Sequence, residues 1–209
     1  MTSIDPAPIE AWEPWTPAEL ATRLAKTNVH WCVVGGWSID LHLGRVTRDH
    51  EDLEFAVLRH DDLAVRAALS DLEPFSPGET AMIHLPDGAA RPCDSHQTWM
   101  LDPVARAWRV DVMIEPGDAD TWVYRRDESF TAPRAFMERR TADAIPYLGP
   151  HGSLFFKAKH GRPKDQADFD LAAPTLTHDE RAWLIDAIDR FHPGHPWIDE
   201  LRKPEDVAV

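Results

Sequence analysis

The chain has 209 residues and a mass of 23.7 kDa, with 43% hydrophobic and 28% charged residues, enough to bury a core without disulfide or metal staples and too apolar for a disordered chain. Its 36 Asp+Glu stand against 22 Lys+Arg, and a formal net charge of -14 excludes a duplex-DNA or anionic-membrane binder while fitting a neutral or cationic partner. There is no run of about 18 apolar residues, residues 1–15 lack the basic and apolar regions of a signal peptide, and the two cysteines, Cys32 and Cys93, lie far apart, so a cytoplasmic, reduced protein is expected.

Thr16-Pro17-Ala18-Glu19 predicts a helix start, with Thr16 as N-cap, Pro17 in the first turn and Glu19 completing a capping box. The apolar run 30–34 reads as a short strand ending at Gly35-Gly36, with Cys32 as a buried thiol. A short helix over 37–43 follows, stopped by Gly44. The segment 53–58 reads as a strand and 61–72 as an amphipathic helix. From 73 to 102 the Pro, Gly and polar content predicts loops and short antiparallel strands, and 108–114 alternates as a strand. Beyond about Thr131 the pattern turns helical, with helices over 153–160, 165–173 and 178–191, the last opened by a capping box at Thr177 and Glu180. Strands before helices predict an α+β chain.

The strand beginning near Asp52 carries the chemistry. At a period of two, Asp52, Glu54 and Ala56 take one face, and Leu53, Phe55 and Val57 the other. Neighbouring carboxylates repel, and a divalent cation compensates them well. Asp111 sits in mid-strand among apolar residues, where an acid is disfavoured. If the two strands pair, three acids share one face, and such a cluster can hold two metal ions for phosphoryl or nucleotidyl transfer. The bland alternatives are a solvated strand end for Asp52 and Glu54 and a surface position for Asp111.

Gly35-Gly36 between a strand and a helix offers backbone N–H groups to a phosphate, with Ser38 as a hydroxyl donor, although two glycines by themselves are better explained by a plain turn. Arg45 and Arg48 flank the loop into the acidic strand, as phosphate ligands or as partners of Asp49 or Glu51. Lys157, Lys159, Arg162 and Lys164 form the densest basic run, suited to a triphosphate or to the end of a solvated helix.

Taken together, the segments from Gly35 to Asp40, from Leu43 to Arg48 and from His50 to Glu54 resemble the antibiotic nucleotidyltransferases. The aminoglycoside 2″-adenylyltransferases match best and the lincosamide nucleotidyltransferases are similar, both within the DNA polymerase β-like nucleotidyltransferase superfamily. The resemblance implies a nucleotidyltransferase-type mixed sheet flanked by helices over residues 1–130, and a helical region, 131–209, that completes the acceptor and triphosphate site. It implies transfer of a nucleoside monophosphate, AMP from ATP in the first instance, from a Mg²⁺-bound nucleoside triphosphate to the hydroxyl of a small molecule such as an aminoglycoside. Carried over by position, Asp52 and Glu54 are metal ligands, Asp111 is a third metal ligand or the proton acceptor, and Gly35, Gly36 and Ser38 line the triphosphate. Arg45, Arg48, Lys157, Arg162 and Lys164 are the candidate nucleotide-binding cations.

One position departs from the family. Glu54 stands where Asp is usual, and its extra methylene changes the reach to a Mg²⁺ that demands near-ideal geometry at about 2.0–2.1 Å. A site adjusted to the longer acid, a preference for Mn²⁺, or weak activity are the consequences weighed. Weak activity leads to a second class of protein, a nucleotidyltransferase-like binding or antitoxin-type module; a third reading modifies protein or RNA. His192 and His195 lack further ligands for a zinc site. His50 either supports the acids or orients their loop, and Trp37 either walls the nucleotide pocket or packs its helix. Residues 1–104 hold 17 acids and 7 bases, against 19 and 15 in the rest, so the acidic field lies mainly around Asp52 and Glu54 and favours a cationic acceptor.

Overall fold

The computed structural model describes residues 4–86, 88–92 and 95–203; Cys93 lies outside them. Helix α1 (Pro17–Leu24) begins with the full capping box of Thr16 and Glu19 and buries Leu20 and Leu24. Strand β1 (Trp31–Val33) leads directly into α2 (Gly35–Leu43), which ends at Gly44 in the left-handed conformation, φ 67°. Then come β2 (Glu54–Leu58), α3 (Asp62–Ala68), β3 (Glu73–Pro77), β4 (Met82–His84), β5 (Gln97–Asp102) and β6 (Ala107–Glu115). Helix α3 is shorter than the expected 61–72, because Leu69 leaves helical dihedrals.

The expected helical pattern beyond Thr131 starts later. First come β7 (Thr121–Val123) and β8 (Thr131–Pro133), which form a separate hairpin, and the single turn α4 (Arg134–Met137). Two further strands, β9 (Glu138–Arg140) and β10 (Pro146–Leu148), are followed by α5 (Pro150–Ala158), α6 (Pro163–Ala172), α7 (His178–Phe191) and α8 (Pro196–Arg202). Strand β10 pairs with β1 in parallel and β9 pairs with β10, so the segment after 131 supplies two strands of the main sheet before its longer helices begin. Three-residue strands carry too little period-two signal to be read against a helical background.

The eight-stranded sheet runs β4-β3-β5-β6-β2-β1-β10-β9 and is mixed. Helices cover both faces. On one, Leu53, Phe55, Val57, Val110 and Val112 pack with Leu20 and Leu24 of α1 and Val65 of α3. On the other, Ala56 and Met113 pack with Leu154 and Phe155 of α5, Phe169 of α6 and Leu184 of α7. The acid-bearing face of β2 thus turns toward the C-terminal helices rather than toward solvent.

Candidate functional site

Parallel pairing of β2 and β6 sets Glu54 directly opposite Asp111, and antiparallel pairing of β5 and β6 sets Trp99 opposite Asp111 on its other side. Side chains directly opposite each other share a face, so Glu54, Asp111 and Trp99 form a row across three strands. Asp52 lies two residues before Glu54 and is half-buried. The Asp111 N–H donates to Leu53 O at 2.8 Å, so the ladder begins where the acids begin.

The charges in this row are only partly compensated. Burial, and then the Asp52 charge, pushes the Glu54 carboxyl up to about 7, against Lys157, Arg162 and Lys164, which pull it down. Burial, and then Glu54, raises Asp111 well above the ordinary carboxyl range. The Trp99 indole N–H donates to Asp111 Oδ2 at 3.0 Å, while Oδ1 is buried with no hydrogen-bond partner. Among the described residues no three His, Cys, Asp or Glu side chains are grouped as a metal site. The donor chemistry nonetheless suits a hard divalent cation: two carboxylates side by side, one with an orphaned oxygen, and a third acid whose charge reaches both.

Gly35 and Gly36 close the end of this row for steric reasons. Gly35 has φ 68°, and a Cβ there would overlap Glu54 Oε2. The bare Cα therefore makes room for the longer acid. A Cβ on Gly36 would meet the Arg48 guanidinium and sit 2.8 Å from His50 Nδ1. Val34, the N-cap of α2, provides no side-chain cap, so the first N–H groups of the helix remain available to an anion.

Ser38 is not at the surface of the site. It is fully buried, donating to Gly35 O at 2.8 Å and lying 2.5 Å from Ser153 Oγ, and it is Ser153 of α5 that lines the adjoining pocket. The pocket runs along the sheet face under α5, from Gly35 and Glu54 past Ala56 and Met113 to Glu115. Lys157, Arg162, Arg125 and Arg126 give it four cations. The two arginines on the segment after β7 stand outside the basic runs of the sequence, because only the fold brings them to the pocket that Lys157 lines.

The basic candidates otherwise pair internally. Lys157 Nζ is 2.7 Å from Asp168 and 3.7 Å from Asp165, Arg162 holds Asp165 with Nε at 2.7 Å, and Lys164 reaches Glu51 at 2.9 Å. Arg48 does not line the pocket; its guanidinium donates to both oxygens of Asp168 at 3.2 and 3.3 Å. Arg45 and Lys159 are exposed and also stand apart from the pocket lining. Lys157, held by Asp168 and Asp165, and Arg162, held by Asp165, thus line the same pocket as Glu54 with their heads fixed by α6.

A buried acid in α2 organises the loop into β2. Asp40 accepts from Thr47 Oγ1 at 2.5 Å and from the Thr47 N–H at 3.1 Å, and it lies 2.6 Å from His50 Nε2. The His50 ring stacks on Trp37 with centroids 4.3 Å apart. Both residues therefore orient the loop, and neither lines the pocket. The sequence assigns Asp40 no role beyond closing the Gly35–Asp40 segment, since an acid in the last turn of a short helix is ordinarily solvated.

The architecture is similar to that of the solved structures of ANT(2'')-Ia. A crystal structure of ANT(2'')-Ia in complex with adenylyl-2''-tobramycin aligns with a TM-score of 0.57 at 12% identity, covering 83% of this chain and 95% of that one. The solution structure of the antibiotic-resistance factor ANT(2'')-Ia aligns with a TM-score of 0.56 at 13% identity, over 83% and 89%. More particularly, the family model of aminoglycoside-2''-adenylyltransferase matches residues 18–80. That match spans α1 to β3 and includes Gly35, Gly36, Asp52 and Glu54; it stops short of Asp111 and Lys157. A comparison with curated proteins finds no match. No helix among the described residues is long and apolar enough to cross a membrane.

Proposed function

We propose that the chain is a nucleotidyltransferase that moves a nucleoside monophosphate, AMP from ATP as the first candidate, to a hydroxyl of a small molecule and releases pyrophosphate. The observation that carries the reading is the register of Glu54 against Asp111: a half-buried and a buried carboxylate, both raised, the first of them lining a pocket that also holds Lys157 and Arg162. Glu54 and Asp111, with Asp52, would hold Mg²⁺ or Mn²⁺, which supplies charge neutralisation and Lewis acidity at the phosphates when bound.

The chain's own groups account for the rest. The first N–H groups of α2, with Ser153, Lys157 and Arg162, bind and orient the triphosphate, and the two cations stabilise the charge that develops on the departing pyrophosphate. Asp111 Oδ1, unpartnered while Trp99 holds Oδ2, takes the acceptor's proton as its oxygen attacks the α-phosphorus. Burial against α5 keeps water away from the reacting groups. The fold likeness to a protein solved with an adenylylated aminoglycoside, together with the acidic field of the chain, favours a polyamine sugar as acceptor.

A second reading has support in Glu54 itself: a nucleotidyltransferase-like binding module without turnover. Incubation with labelled ATP, Mg²⁺ and an aminoglycoside panel separates the two. The first reading expects pyrophosphate and a labelled acceptor, lost in Asp111→Asn. Nucleotide binding with no transfer to any acceptor, and a large gain of activity in Glu54→Asp, would favour the second.

A further inference from the structure

We propose that Glu115 reads the nucleobase, its carboxylate accepting a hydrogen bond from the exocyclic amine of a 6-aminopurine. The inference rests on the nucleotidyl-transfer reading and adds the base to it. Glu115 closes β6 on the same face as Asp111, four residues further on, a distance of about 13 Å along the strand. Between them lie the apolar Ala56 and Met113, and Phe156 of α5 also lines this stretch of the pocket. A nucleotide with its phosphates at Gly35 and Lys157 would lay its base across this apolar stretch and present its far edge to Glu115.

The carboxylate is poised to accept. Arg134 donates from Nη1 to Glu115 Oε2 at 3.0 Å and to Glu138 Oε1 at 2.7 Å, so one cation is shared between two acids. Its other donors go to Asp118 O and Thr121 O. Trp122 packs beside the same carboxylate. Arg134 therefore holds Glu115 through Oε2 and leaves the other carboxylate oxygen able to accept. Arg125 and Arg126 line the same pocket and can donate to ring nitrogens. An edge with an amine beside ring acceptors matches this pairing of one carboxylate with two guanidinium groups. The ammonium of a cationic acceptor would face Arg134 there, and is disfavoured.

Calorimetric titration of the full chain with Mg²⁺ and either ATP or purine riboside triphosphate, which lacks the 6-amine, tests the assignment. The wild type is expected to bind ATP at least about tenfold more tightly than the analogue. Glu115→Gln is expected to bring the two within about threefold while leaving the analogue's affinity unchanged, which also controls for misfolding. Equal binding of ATP and analogue by the wild type would overturn the role of Glu115 and leave the nucleotide reading standing. Failure of both triphosphates to bind would overturn the nucleotide reading and this inference with it. A Glu115→Gln variant that binds ATP normally but an aminoglycoside weakly would overturn the assignment to the base.

Discussion

Replacing Glu54 with Gln should stabilise the metal-free protein above neutral pH. Glu54 shares its face with Asp111 and feels Asp52, and burial with that repulsion moves its carboxyl from 4.5 to about 7. Between those two values the folded state holds a proton that the unfolded state has released. Stability then falls as pH rises from about 4.5 to 7 and levels off above. At about 1.36 kcal/mol per unit the full cost is about 3 kcal/mol. Gln keeps the shape and cannot ionise, so the variant should gain about 2–3 kcal/mol at pH 8 and almost nothing near pH 5. For a chain of this size that is a rise in Tm of roughly 5–10 °C. Thermal melts in a chelator from pH 5 to 8.5, on both proteins, measure the difference directly. A variant no more stable than the wild type at pH 8 would refute the argument that these carboxylates are only partly compensated. Adding Mg²⁺ should then raise the melting temperature of the wild type and leave that of Glu54→Gln nearly unmoved.

Other substitutions separate positioning from chemistry. Gly35→Ala should cost roughly 1–3 kcal/mol, from its positive φ and the overlap with Glu54, and should abolish triphosphate binding in a titration. Ser38→Ala, which breaks the buried contact with Ser153, should lower stability by about 1–2 kcal/mol in urea melts and leave nucleotide affinity within a few-fold, since Ser38 does not reach the pocket. Lys157→Met should fail on both counts: it leaves Asp168 and Asp165 short of a buried partner, costing about 3 kcal/mol, and it removes a phosphate cation, so ATP affinity should fall at least tenfold. Asp40→Asn should weaken the Thr47 and His50 contacts and loosen the loop into β2, which hydrogen exchange of residues 45–52 would register as faster exchange.

The sequence made some features legible and hid others for physical reasons. The capping boxes at Thr16 and Thr177 are local chemistry, and both helices begin there. The alternation in 53–58 and 108–114 assigns Glu54 and Asp111 to faces; only the parallel pairing of β2 with β6 places them opposite each other. The basic run 157–164 looked uncountered because its partners, Glu51 and Asp168, lie outside it, as far as 113 positions away for Lys164 and Glu51. Arg125, Arg126 and Glu115 carry no motif at all, and reach the pocket through the β7 segment and the end of β6. Ser38 was read by its place after two glycines, but the turn of α2 that follows directs its hydroxyl into α5.

A crystal soaked with Mg²⁺ and a non-hydrolysable ATP analogue tests the central claim most directly. The account predicts metal density shared by Glu54 and Asp111, phosphates between the start of α2 and Lys157, and the base along Met113 toward Glu115. An analogue bound elsewhere, or bound in this pocket with no metal at the two carboxylates, would contradict it.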